Sequence, residues 1–94
     1  MHNWRKKMRL FILQIHDTSN TLKFDEIYHF EDFNDLCAEY RNKMNYYSAN
    51  GHKLISIEEP TLDEGDNEVG GLFKFLKKTG DVVIGRVTDV HIGD

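Results

Sequence analysis

Apolar positions along this chain recur in two periods, and the changes of period mark its elements. Residues 8–16 (MRLFILQIH) place Phe11, Leu13 and Ile15 on one alternating set and Leu10 and Ile12 on the other. A strand apolar on both faces belongs inside a sheet, not at its rim. Asp17–Thr18–Ser19–Asn20 is a cluster of turn formers. Residues 21–30 then alternate again, with Leu22, Phe24, Tyr28 and Phe30 on one face and Glu26 as the exception. The pattern predicts a β-hairpin with its turn centred on Thr18 and Ser19. That register sets His16 opposite Thr21 and His29 opposite Met8, several residues apart along the sheet.

The period then changes to that of a helix. Phe33, Leu36, Cys37, Tyr40, Met44 and Tyr47 fall within an arc of about 100°, the stripe of a helix lying on a sheet. Asp32 is placed as the N-cap, and Asp35 stands three residues on, where a capping box puts its acid. Asn50–Gly51 supplies a left-handed stop, so the helix is expected over about residues 32–48. On the same wheel Tyr46 falls opposite Phe33, on the polar side with Asp35, Glu39 and Asn42.

Three further strands follow. Residues 53–59 (KLISIEE) carry Ile55 and Ile57 on one face, and Pro60 is expected to end the strand. Residues 60–71 (PTLDEGDNEVGG) form an acidic loop by composition, long enough for a small domain to suggest mobility or a role. Residues 72–78 and 82–90 flank Thr79–Gly80–Asp81 as a second hairpin. Lys74 and Lys78 are expected on one face of its first strand and Phe73 and Phe75 on the other. Gly85 marks a bulge or a close backbone approach, and His91–Ile92–Gly93–Asp94 is expected to fray. The element order β-β-α-β-β-β predicts a single small α+β domain, a mostly antiparallel sheet with one helix packed on one face. The third or fifth strand is the candidate edge for pairing with a second copy.

Composition narrows the class. The chain has 94 residues, enough for one domain and one modest core. It has one cysteine, Cys37, which cannot form an internal disulfide; on the apolar stripe it serves as a small hydrophobe. With no long apolar run, the expected compartment is the cytoplasm and no membrane contact is expected. The formal net charge is −4, unevenly spread. Residues 1–9 hold Arg5, Lys6, Lys7 and Arg9 and no acid, whereas the remainder holds eight basic residues against sixteen acidic ones. Residues 1–7 therefore read as a basic arm, or as an extension upstream of a start at Met8, on an acidic body. Such a body repels nucleic acid and attracts basic partners.

No spacing of chemical groups matches a known catalytic or metal-binding pattern. The five histidines (His2, His16, His29, His52 and His91) lack HxH, HExxH and zinc-type spacing, and a surface or structural role is expected for each. The acidic run containing Asp63, Glu64 and Asp66 departs from a calcium loop. Gly70–Gly71 precedes a strand, not a helix, so it lacks the helix terminus that cradles phosphate. No cofactor, metal or catalytic residue is expected; a hydrolase or nuclease using His16 or His29 with Asp17 or Asp32 is the least favoured class.

Two binding classes remain. The favoured one is a non-enzymatic protein-binding module, an inhibitor, immunity or anti-defence factor, or adaptor, of the kind encoded by phages and mobile elements. Its contact residues would be Asp35, Glu39 and Tyr46 on the helix and Asp63, Glu64 and Asp66 in the loop, directed at a basic site on a partner protein. The alternative is nucleic-acid binding through Trp4, Arg5, Lys6 and Lys7 of the arm with Lys74, Lys77 and Lys78. Against it, aromatic and basic residues are not expected to interleave on one sheet face.

Overall fold

The computed structural model describes residues 8–19, 24–62 and 69–92. Six elements follow the expected order: β1 Met8–Asp17, β2 Glu26–Phe30, α1 Phe33–Ala49, β3 Lys53–Leu62, β4 Val69–Leu76 and β5 Val82–Ile92. The strands form one sheet of order β2-β1-β5-β4-β3. All four pairings are antiparallel. β5 is thus the central strand, and the edges are β2 and β3. The expectation that the fifth strand offers an edge is corrected, while β3 does offer one.

The core forms where α1 lies on the sheet. Phe11, Leu13 and Ile15 of β1 face Leu36, Tyr40 and Tyr47 of the helix, and Phe73, Phe75, Val83 and Val87 complete the layer. Its centre is aromatic. The Phe73 ring centroid lies 5.4 Å from that of Tyr40, 5.9 Å from Tyr47 and 5.7 Å from Phe75. Gly85 makes this possible: a Cβ there would sit 2.2 Å from Cζ of Phe73. Pairing through Gly85 is regular on both sides, to Ile15 and to Phe73, so the glycine marks a close approach and not a bulge.

The Asp32 cap and the glycine stop form as the sequence implies, but Asp35 does not close a capping box back to Asp32. The Asp32 carboxylate accepts from the Asn34 N–H at 3.0 Å. At the other end the His52 N–H donates to the Tyr47 carbonyl (3.1 Å) and the Gly51 N–H to that of Ser48 (3.0 Å). With Gly51 at φ +82°, this is a Schellman stop.

β3 differs from expectation. It runs through Pro60 to Leu62 because it is an edge strand, where a missing N–H leaves no partner unsatisfied. Its pairing with β4 shifts between Leu54 and Ser56 and again between Glu58 and Thr61. The first shift breaks the alternation. Leu54 pairs with Phe75 and Ile57 with Phe73, while Ile55 falls at the irregularity, 50% exposed. Ile55 and Ile57 therefore do not form the single apolar face expected. At the second shift the buried Tyr40 hydroxyl lies 2.9 Å from the Glu58 carbonyl and 2.8 Å from that of Leu72, tying helix, edge strand and β4 together.

Other boundaries move as well. Residues 60–62 belong to β3 and 69–71 to β4, so the acidic loop contracts to 63–68, outside the described residues. β4 ends at Leu76, which places Lys78 in the turn and not on the strand face with Lys74. His91 and Ile92 are paired with Arg9 and Met8, not frayed.

Candidate functional site

The first hairpin is not in the expected register. Ile15 pairs with Glu26 and Ile12 with His29, so the connection is longer than a tight turn at Thr18–Ser19. Phe24 is 99% exposed and does not join Tyr28 and Phe30. One consequence is chemical. Asp25 comes level with His16, and its Oδ1 lies 2.7 Å from His16 Nδ1, while Gln14 Nε2 donates to Oδ2 at 2.7 Å. These bonds, that of His16 the stronger, hold the Asp25 carboxyl below its usual range. His29, on β2 opposite Ile12, stays separated from His16 along the sheet, as expected, but neither acid named for them in the sequence is the partner of His16.

Gln14, His16 and Asp25 line a shallow pocket of about 220 Å³ with Ile84 and Arg86 of β5. It lies on the sheet face that α1 leaves open. Gln14 is paired with Arg86 and His16 with Ile84, and Ile84 in turn with Lys74. Paired residues share a face, so His16, Arg86 and Lys74 surround Ile84 on this surface. Sequence reasoning missed the constellation because it depends on strand order. The one sequence sign was the run of polar residues 14, 16, 74 and 86 among apolar neighbours.

On the opposite layer, the outer stripe of α1 is as expected. Asp35 and Asn42 are exposed, and Tyr46 is 60% exposed with its ring edge-on to Tyr47 at 5.3 Å. Glu39 is half-buried and lies 3.8 Å from Lys43 Nζ. Lys43 also reaches Glu26 at 3.5 Å and covers the Tyr28 ring at 4.7 Å. The Tyr28 hydroxyl donates to Glu26, which raises the pKa of the phenol. Asp35 and Tyr46 are thus the freer ends of the stripe, and Glu39 is partly neutralised. Asp63, Glu64 and Asp66 lie outside the described residues, between the ends of β3 and β4.

The lysines named for nucleic acid are not gathered. Lys74 is on the open sheet face. Lys77 Nζ is held 2.8 Å from Asp17 Oδ2 and 3.0 Å from the Ser19 hydroxyl. Lys78 is in the turn, near Gly51. Trp4, Arg5, Lys6 and Lys7 lie outside the described residues.

Other reactive groups are placed structurally. Burial raises the Cys37 thiol above its usual pKa, and Tyr40 and Tyr47 are pushed up to about 12 by burial. His52 stacks on Tyr47 at 5.7 Å. Among the described residues no group of three or more His, Cys, Asp or Glu side chains is placed to hold a metal ion. Nor is any helix among them long and apolar enough to cross a membrane. Comparison with protein-family models, curated proteins and solved structures gives no match to this chain.

Proposed function

We propose that this protein is a non-enzymatic protein-binding module that contacts a basic site on its partner through the outer stripe of α1. The observation that carries the reading is Tyr46, 60% exposed and aligned along the helix with Asp35 and Glu39. A large aromatic side chain presented to water beside carboxylates suits a contact centre, since tyrosine is enriched among residues that dominate interface energy. The carboxylates contribute mainly through steering and orientation. Asp63, Glu64 and Asp66 belong to the same proposal. In the sequence they follow β3 directly and continue its run of acids after Glu58 and Glu59. Blocking a basic site on another protein, as an inhibitor or immunity factor does, is the activity such a face serves.

The test is capture from a nuclease-treated lysate of the source organism, comparing wild type with Tyr46→Ala and with Asp35→Asn/Glu39→Gln. One stoichiometric protein partner is expected, with affinity at least about tenfold weaker for Tyr46→Ala, equivalent to about 1.4 kcal/mol. The charge variant is expected to slow association and flatten its salt dependence. A partner held equally by all three proteins removes the helix stripe from the function.

A further inference from the structure

The pocket on the open sheet face has the features of an anion site, although the protein as a whole is acidic. Arg86 lines it, and Lys74 stands beside it across Ile84. Among the described residues neither cation has an ion-pair partner. Elsewhere comparable cations are engaged: Arg9 with Asp89 at 2.7 Å, Lys77 with Asp17, Lys43 with Glu26 and Glu39. His16 completes the set and is oriented. Because Asp25 binds Nδ1 at 2.7 Å, the other ring nitrogen, Nε2, is the one left to a ligand. The Asp25 charge is already engaged by His16 and by Gln14. The next acid on this face, Glu58, is paired with Leu72 and so stands two strands from Arg86, about 10 Å away at ordinary strand spacing.

We propose that this pocket binds a phosphate monoester. Arg86 would present a two-pronged donor to the phosphate oxygens, Lys74 a point charge, and His16 an Nε2–H donor in its protonated form. Two fixed cations and a histidine that can carry a third charge match a dianion better than a single carboxylate. The volume, about 220 Å³, admits a phosphate and the first atoms of what carries it, and is smaller than the usual range for whole cofactors or drug-sized ligands. Ile84, at the centre, offers an apolar floor for those atoms. The site lies on the sheet face opposite α1, so it stands or falls separately from the helix contact proposed above.

Titration of the full chain with inorganic phosphate at constant ionic strength, followed by backbone amide NMR, tests this directly. Saturable shifts confined to Gln14, His16, Asp25, Ile84, Arg86 and their strand neighbours are expected, with acetate far weaker. Arg86→Gln should raise the dissociation constant at least fivefold, and His16→Asn should raise it as well. Both positions are exposed, so the folded spectrum should otherwise be retained. Linear, unsaturated shifts, equal response to acetate, or an Arg86→Gln protein that binds phosphate like wild type would each overturn the proposal.

Discussion

Replacing Gly85 with alanine adds one methyl group at the most crowded point of the core. The new Cβ would lie 2.2 Å from Cζ, 2.3 Å from Cε2 and 2.7 Å from Cε1 of Phe73. Carbon atoms in contact prefer about 3.5–4.0 Å, so the ring must retreat by roughly 1.5 Å. It has nowhere to go, because Phe73 is fully buried and bounded by Tyr40, Tyr47 and Phe75. Gly85 is not in the left-handed region, so an alanine backbone is acceptable and the effect is purely steric. Overpacking of this kind costs about 1–3 kcal/mol, and the enclosure points to the upper end. For a domain of this size about 3 kcal/mol lowers Tm by roughly 12–24 °C. Urea unfolding monitored by circular dichroism measures the cost, provided the denaturant slope is unchanged. Phe73→Leu supplies the internal control, since it removes the ring atoms that clash. The double variant should be more stable than the sum of the two single costs implies, by about 1 kcal/mol or more. A Gly85→Ala protein within about 0.5 kcal/mol of wild type, or costs that simply add, would falsify the close-approach argument.

Two further outcomes follow from buried or paired polar groups. Tyr40→Phe removes the hydroxyl between the Glu58 and Leu72 carbonyls; a loss of about 1 kcal/mol in chemical denaturation is expected, with amide exchange accelerating in β3 near Pro60. Partial burial pushes the Asp17 carboxyl up, but bonds from Lys77 and Ser19 outweigh it and leave its pKa below the ordinary 3.8. A lowered carboxylate contributes stability that is present above its unfolded pKa and lost as pH falls through the folded value. Thermal stability should therefore fall less steeply below about pH 4 in Asp17→Asn than in wild type, and identical acid limbs would remove this pair from the account.

How much could be read in the sequence depends on whether a feature is local. The helix is local, and its stripe, its Asp32 cap and its Asn50–Gly51 stop follow from neighbouring residues. Tyr46 is exposed for the same reason: its position on the wheel is fixed by the helix alone. Gly85 was recognisable as unusual, although only the sheet identifies Phe73 as its cause. Register and strand order were not legible. Leu22 and Phe24 continue the alternation of Tyr28 and Phe30, which drew the first hairpin too tight; alternation reports a face, not a partner. Pro60 ends a central strand but not an edge strand, and nothing in residues 53–62 says which β3 is. The Lys77–Asp17 pair and the meeting of His16, Lys74 and Arg86 depend on β5 lying between β1 and β4. That made the basic residues of the second hairpin look like one patch, whereas Lys74 lies on the open sheet face, Lys77 is held by Asp17 and Lys78 is in the turn.

The central place of β5 also bears on how the chain is made. β5 is the last of the six elements, yet it is the strand that joins the β1–β2 hairpin and the β3–β4 hairpin into one sheet. During synthesis, before β5 leaves the ribosome, β1 and β4 are both open edges bearing the apolar residues that later face the helix. The two halves then join through contacts as distant in sequence as Met8 and Ile92. Closing such long loops is slow compared with forming either hairpin. The nascent chain therefore passes through a stage in which β1 and β4 are complete but paired on one edge only, and arrival of the final strand closes both open edges in a single event.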